Sequence, residues 1–168
     1  FNIKRGWRGG EQDDGNTMKC SIIIPVYNGQ EWIADAIESA ISQTYTDEDT
    51  HQQTRCEVIV INDGSTDGTA GVIKDYPVKV IHQINKGLSS ARNTGIMNAT
   101  GEYILPLDAD DQIMDNCVEK LLQIAEATQA DVVSPSFKEF GKNSAQVILL
   151  PSPTIEDFKL GNRIAYCS

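Results

Sequence analysis

From Lys19 onward, short apolar runs rich in β-branched residues alternate with segments of helical period, and this alternation constrains the fold more than any other feature. Lys19 to Val26 reads as a buried strand. Asn28 and Glu31 then form a candidate capping box, and Trp32, Ile33, Ala36, Ile37, Ala40 and Ile41 follow at helical spacing. Thr44 to Arg55 is polar and loop-like. Glu57 to Asn62 is a second strand, closed by Asp63-Gly64-Ser65-Thr66-Asp67-Gly68, whose polar side chains can cap a helix running to Asp75. Val78 to His82 is a third strand. Gly87 to Ala99 is a helix with Leu88, Ala91, Gly95 and Ala99 along one face and Gly101 as its stop. Glu102 to Leu107 is a fourth strand. The next helix is marked by Val118, Leu121, Leu122 and Ala125 and capped by Asp115. Asp131 to Ser134 is a fifth strand, Val147 to Leu150 is strand-like, and Thr154 to Leu160 is a short helix. Such a series predicts an α/β fold, a mostly parallel sheet with helices on both faces. Phe1 to Thr17 is Gly-rich and polar and reads as an unstructured tail or linker, so the domain spans residues 18–168.

In a parallel sheet the strand ends fall on one edge, and ligands of open α/β sheets bind there. Three strand ends carry unusual residues: Pro25-Val26-Tyr27-Asn28, Asp63-Gly64-Ser65-Thr66-Asp67 and Asp108-Ala109-Asp110-Asp111. Asp108-Ala109-Asp110 follows the apolar run Tyr103 to Leu107, which places carboxylates where a buried strand meets solvent. Mg²⁺ uses one or two protein carboxylates and completes its shell with phosphate and water. The turn therefore reads as a site for a divalent metal carrying a phosphorylated ligand, or as a solvated turn capping the next helix. Asp63 can accept a hydrogen bond from a base or ribose, or open a tight turn. Tyr27 can stack on a base or pack at the edge of the core. Arg92 can reach a base or phosphate, or remain a surface charge on its helix.

Composition narrows the partners. The formal net charge of −10 opposes nucleic-acid binding, which needs concentrated Lys and Arg. An acidic chain that holds a diphosphate needs a cation, and a divalent metal is the usual solution. Cys20, Cys56, Cys117 and Cys167 are widely spaced and form no zinc pattern with His51 and His82. They read as free thiols in a reducing, cytoplasmic setting. No run reaches the roughly 18 apolar residues of a membrane span. The dinucleotide fingerprint, the P-loop and the nucleophile elbow are all absent.

Taken together, the motifs resemble glycosyltransferase family 2 and its GT-A, Rossmann-like fold. The resemblance is carried by Cys20-Ser21-Ile22-Ile23-Ile24-Pro25-Val26-Tyr27-Asn28 and Val58-Ile59-Val60-Ile61-Asn62-Asp63-Gly64-Ser65-Thr66-Asp67. It continues through Asn85-Lys86-Gly87-Leu88-Ser89-Ser90-Ala91-Arg92-Asn93-Thr94-Gly95 and Gly101-Glu102-Tyr103-Ile104-Leu105-Pro106-Leu107-Asp108-Ala109-Asp110-Asp111. It implies transfer of a sugar with inversion from a nucleotide-sugar donor, UDP-linked, to a glycan or lipid-linked acceptor in polysaccharide synthesis. It also implies that Pro25, Val26 and Tyr27 line the base pocket, that Asp63 and Arg92 contact the base, and that Asp108 holds the ribose or the metal. Asp110 would be the main ligand of Mn²⁺ or Mg²⁺, acting as Lewis acid on the diphosphate leaving group.

One departure concerns the catalytic base, a carboxylate that the family carries in a Glu-Asp motif after a Gly-Gly-Phe-Asp-like stretch. That stretch is missing, and Glu48-Asp49 and Glu156-Asp157 stand in the wrong context. The expectation is a donor-binding part whose base lies beyond Ser168, with the whole protein cytoplasmic or peripheral to a membrane. The rival readings are a non-catalytic nucleotide-sugar binding module and a metal-dependent nucleotidyltransferase. The second usually needs a basic phosphate loop, and Pro25 to Glu31 has neither Lys nor Arg.

Overall fold

The computed structural model describes residues 2–4, 20–46, 53–135, 137–138, 147–148 and 164–167. Their elements are β1 (Asn2–Lys4), β2 (Cys20–Val26), α1 (Ile33–Ile41), β3 (Thr44–Thr46), β4 (Gln53–Arg55), β5 (Glu57–Asp63), α2 (Thr69–Ile73) and β6 (Lys79–Gln83). They continue with α3 (Leu88–Asn98), β7 (Tyr103–Pro106), α4 (Cys117–Thr128), β8 (Val132–Pro135), β9 (Phe137–Lys138), β10 (Val147–Ile148) and β11 (Ile164–Cys167). A seven-stranded sheet runs in the order β11-β8-β1-β7-β2-β5-β6. Every pairing in it is parallel except those of β1, which is antiparallel to both neighbours. The mostly parallel α/β fold expected from the sequence is the fold found.

Alternation along β2 explains the two core layers. Cys20, Ile22, Ile24 and Val26 pack with Val58, Val60, Tyr103 and Leu105 under α1, α2 and α4. Ile23, Ile59, Ile61 and Ile104 form the other layer with Ala91 of α3 and Ala99 just after it. The central strands β2 and β5 are buried on both faces, which is why their sequences are almost continuously apolar. Gly95 lets α3 approach this second face, since a Cβ there would lie 2.3 Å from Ile23 Cγ2 and 2.9 Å from Ile61 Cδ1.

Pro25 decides where the sheet opens. Pairing of β2 with β5 extends to Val26 and Asn62. Pairing with β7 stops at Ile23 and Pro106, followed by one last bond from Leu107 N–H to Ile23 O at 2.9 Å. Pro25 points its ring nitrogen to the same side as Ile23 and has no proton to continue that ladder. The chain after Leu107 is therefore free to turn away, and the acidic turn begins there.

Several local expectations are corrected. Residues 2–4, read as part of a tail, form β1 between β7 and β8. A three-residue polar-apolar-polar strand is too short for periodicity to reveal, and its partners are distant in sequence. The remaining residues up to 19, the pair Glu48-Asp49 and the expected helix Thr154 to Leu160 lie outside the described residues. No capping box forms at α1: Asn28 has φ 52°, and its Oδ1 accepts from Thr66 N–H at 2.8 Å. Asp115 makes no cap on α4; Gln43 Oε1 accepts from Val118 N–H at 3.1 Å instead. Gly101 is not a helix stop, because α3 ends at Asn98; its N–H donates to Ser21 Oγ across the sheet. Leu88 is half exposed rather than core, at 51%.

Candidate functional site

All the strands from β7 through β6 are parallel, so Tyr27, Asp63, Gln83 and Asp108 leave the sheet at one edge. Two loops at this edge are cross-bonded. Asn28 N–H donates to Ser65 Oγ at 3.0 Å, Gly29 N–H to Thr69 Oγ1 at 3.0 Å, and Gln30 N–H to Asp67 Oδ2 at 3.2 Å. In return Gly68 N–H donates to Gln30 Oε1 at 2.7 Å. These bonds satisfy backbone donors at the start of α1 and α2 and fix the chain on either side of Tyr27. The Tyr27 ring stays 52% exposed, held out over the rim.

Beside it lies a cleft of about 250 Å³ lined by Pro25, Val26, Tyr27, Asp63, Asn85, Gly87, Leu88 and Ala91. Pro25, Val26, Tyr27 and Asp63 were singled out from the sequence. The other four line the wall formed by the loop between β6 and α3 and the first turns of α3. Gly87, with φ 84°, is the conformational signal that this loop turns sharply into α3. Leu88 carried no such signal, since its period matched the core face.

Asp63 is 3% exposed, and its carboxylate binds this loop. Oδ1 accepts from Gln83 Nε2 at 2.7 Å and from Lys86 N–H at 2.9 Å, and Oδ2 accepts from Gly87 N–H at 2.8 Å. Burial alone would raise the Asp63 carboxyl, but these three bonds and the Lys86 charge outweigh it and hold it below its ordinary value. Asp63 is therefore an ionised, acceptor-only group at neutral pH. Gly64 follows with φ 75°, and a Cβ there would lie 2.7 Å from Asn85 N. Asp63 thus opens a tight turn, and it also lines the cleft.

Arg92, on α3 next to Ala91, is neither a free surface charge nor a direct lining residue. Its Nη2 pairs with Asp108 Oδ1 at 2.5 Å, and its Nε is buried with no partner among the described residues. Asp110 and Asp111 are exposed, on a turn closed by Asp111 N–H to Asp108 O at 3.0 Å. The Asp111 carboxyl is raised by partial burial and by the charges of Asp110 and Asp108. Three carboxylates thus crowd one turn with only Arg92 paired among them. Among the described residues, no group of three or more such side chains forms a ready metal cage. Oxygen donors of this kind, Asp108 through its second oxygen and the exposed Asp110, nevertheless suit Mg²⁺ or Mn²⁺, which takes few protein ligands and several from phosphate and water.

Away from the rim, Cys20 and Cys56 are free thiols. Among the described residues, no helix is long and apolar enough to cross a membrane.

Comparison with known proteins agrees with this geometry. The chain is 40% identical over 122 residues to the uncharacterized glycosyltransferase EpsJ of Bacillus subtilis (strain 168), covering 70% of this chain and 33% of that protein. It is 39% identical over 136 residues to the uncharacterized glycosyltransferase YibD of Escherichia coli (strain K12), covering 76% of this chain and 37% of that one. It thus spans about a third of the length of these curated relatives. The crystal structure of S. aureus TarS 1-349 in complex with UDP-GlcNAc superposes with a TM-score of 0.64 at 29% identity, covering 77% of this chain and 37% of that one. The fold is of the GT-A type. The family description Glycosyl transferase family 2 matches residues 21–165, and the chain belongs to that family.

Proposed function

We propose that this domain binds a nucleotide sugar, with UDP as the nucleotide, at the C-terminal edge of its sheet through Mn²⁺ or Mg²⁺. In the whole protein the sugar passes with inversion to an acceptor hydroxyl on a glycan or a lipid-linked glycan, in surface polysaccharide or glycan synthesis. What supports this reading is the C-terminal edge of the sheet, where an exposed Tyr27 ring and an ionised Asp63 line the cleft and Asp108 and Asp110 follow the neighbouring strand β7. Pro25, Val26 and Tyr27 form the apolar wall against the base. Asp63 accepts a hydrogen bond from the base edge. Uracil offers an imide N–H, whereas cytosine presents an unprotonated ring nitrogen at that place. Arg92 acts through Asp108, holding one oxygen so that the other faces the ribose or the metal. Asp110 is the main metal ligand, and a bound divalent ion supplies neutralisation of the diphosphate as it leaves. A solved neighbour bound to UDP-GlcNAc supports the choice of nucleotide.

The acceptor hydroxyl needs a base to take its proton as it attacks. In this reading that carboxylate lies beyond Ser168, in the part of the relatives that this chain does not span. Free thiols at Cys20 and Cys56 fit a cytoplasmic setting, and a lipid-linked acceptor would bring the whole protein to a membrane surface. Calorimetric titration with UDP in Mn²⁺ and in EDTA tests the proposal. UDP binding that is at least about tenfold weaker in EDTA, and weakened likewise by Asp110→Asn, supports it. Equal affinity under both conditions refutes the metal-dependent site.

A further inference from the structure

We propose that Gln83 and Thr94 are positioning residues that fix which lone pair of Asp63 faces the cleft, and so set the preference for one base over another. The inference rests on the nucleotide reading given above and deepens it. Asp63 and Gln83 are register partners on the adjacent parallel strands β5 and β6. Gln83 Nε2 donates to Asp63 Oδ1 at 2.7 Å, and Thr94 Oγ1 on α3 donates to Gln83 Oε1 at 2.7 Å. The three side chains form a relay from helix to strand to cleft.

The chemistry of the relay runs in one direction only. An ionised carboxylate has no proton to give, so Gln83 must turn its NH₂ toward Asp63. Its carbonyl then points the other way and needs a donor, which the Thr94 hydroxyl supplies. Asp63 Oδ1 is filled by two donors, Gln83 Nε2 and Lys86 N–H. Oδ2 has one, Gly87 N–H, and keeps one acceptor direction open. A carboxylate offers about four acceptor directions, so three bonds leave a single fixed one. Asp63 lines the cleft, and a ligand that enters it meets that one acceptor.

Removing Gln83 leaves Oδ1 with Lys86 N–H alone and lets the carboxylate rotate between the two backbone donors. Removing the Thr94 hydroxyl leaves the Gln83 amide without its lock. Either change should blur the direction of the open lone pair. A base with a donor in line with it would lose its advantage over a base with an acceptor there. A purely structural role would instead weaken all nucleotides together.

The test is calorimetric titration of UDP and of CDP, at one fixed Mn²⁺ concentration, into the unmodified chain and its Gln83→Ala, Thr94→Val and Thr94→Ser variants. Thr94→Val keeps the shape of the half-buried side chain and decides the matter if Gln83→Ala fails to fold. The expected result is a UDP-over-CDP ratio that falls by about tenfold in Gln83→Ala and falls clearly in Thr94→Val, one hydrogen bond's worth of discrimination. Thr94→Ser, which keeps the hydroxyl, should retain it. An unchanged ratio in both Gln83→Ala and Thr94→Val overturns the relay while leaving the nucleotide site intact. An unmodified chain with no preference for UDP over CDP overturns both.

Discussion

Arg92 Nη2 lies 2.5 Å from Asp108 Oδ1, so helix α3 and the acidic turn after β7 are joined by an ion pair. Both side chains remain partly exposed, at 38% and 44%. Pairs of this kind contribute only about 0–1 kcal/mol to folding. The value of the contact lies in holding Asp108. Arg92→Ala is expected to shift the unfolding free energy by no more than about 1 kcal/mol and to weaken UDP binding by at least about tenfold. Denaturant melts and calorimetry on the same variant check both halves. A large loss of stability with unchanged affinity would make Arg92 a structural residue.

Asp63 should behave differently. The sequence alone places it at a strand end, as a base or ribose acceptor or the opening of a tight turn. The structure buries it and gives it three donors. Asp63→Ala strands those donors and is expected to cost about 1–3 kcal/mol as well as nucleotide binding. Chemical denaturation measures it, and a loss below about 0.5 kcal/mol would contradict the clamp.

The contrast between these two residues shows what was legible. The four parallel strands and their shared edge could be read because continuous β-branched runs and helical periods are local patterns. Asp63, Asp108 and Asp110 could be placed at that edge because a strand's end is also local. The partner of each was not legible. Nothing near Arg92 in sequence points to Asp108, and nothing near Asp63 points to Gln83, since both contacts exist only after β5, β6 and β7 align. The same holds for β1, whose three residues find partners roughly a hundred positions away, and for Gln43, which caps α4 from the end of α1.

Acid should unfold the domain through carboxylates at both edges of the sheet. Burial alone would raise the Glu57 carboxyl, but bonds from Ser21 and Thr100 and the nearby Lys79 hold it below its ordinary value. Asp63 is lowered likewise. A lowered carboxyl stabilises the fold fully above its unfolded value of about 4 and loses that contribution as pH falls through the lower folded value. Stability should therefore be flat from pH 7 to about 5 and fall below about 4. Glu57→Gln should flatten that fall. Denaturant midpoints against pH for the two proteins decide it, and identical slopes would exclude Glu57 as a contributor.

Gly95 sets the distance between α3 and the sheet. Gly95→Ala would place a methyl 2.3 Å from Ile23 Cγ2 and 2.9 Å from Ile61 Cδ1, so these packed side chains or the helix itself must shift. The expected cost is about 1–3 kcal/mol, against the gain in helix propensity that alanine normally brings. Thermal melts measure it, and a stabilised variant would mean that α3 does not lie this close to β2.

In the proposed function a nucleotide occupies the cleft at the C-terminal ends of β2, β5 and β6. Amide chemical-shift mapping of UDP with Mg²⁺ onto the isotope-labelled chain tests this most directly. The account predicts that shifts concentrate at Val26 and Tyr27, at Asp63 to Asp67, at Asn85 to Arg92 and at Asp108 to Asp111. Shifts confined to the opposite edge of the sheet, around Ser21, Glu57 and Thr100, or no shifts at saturating UDP, would contradict it.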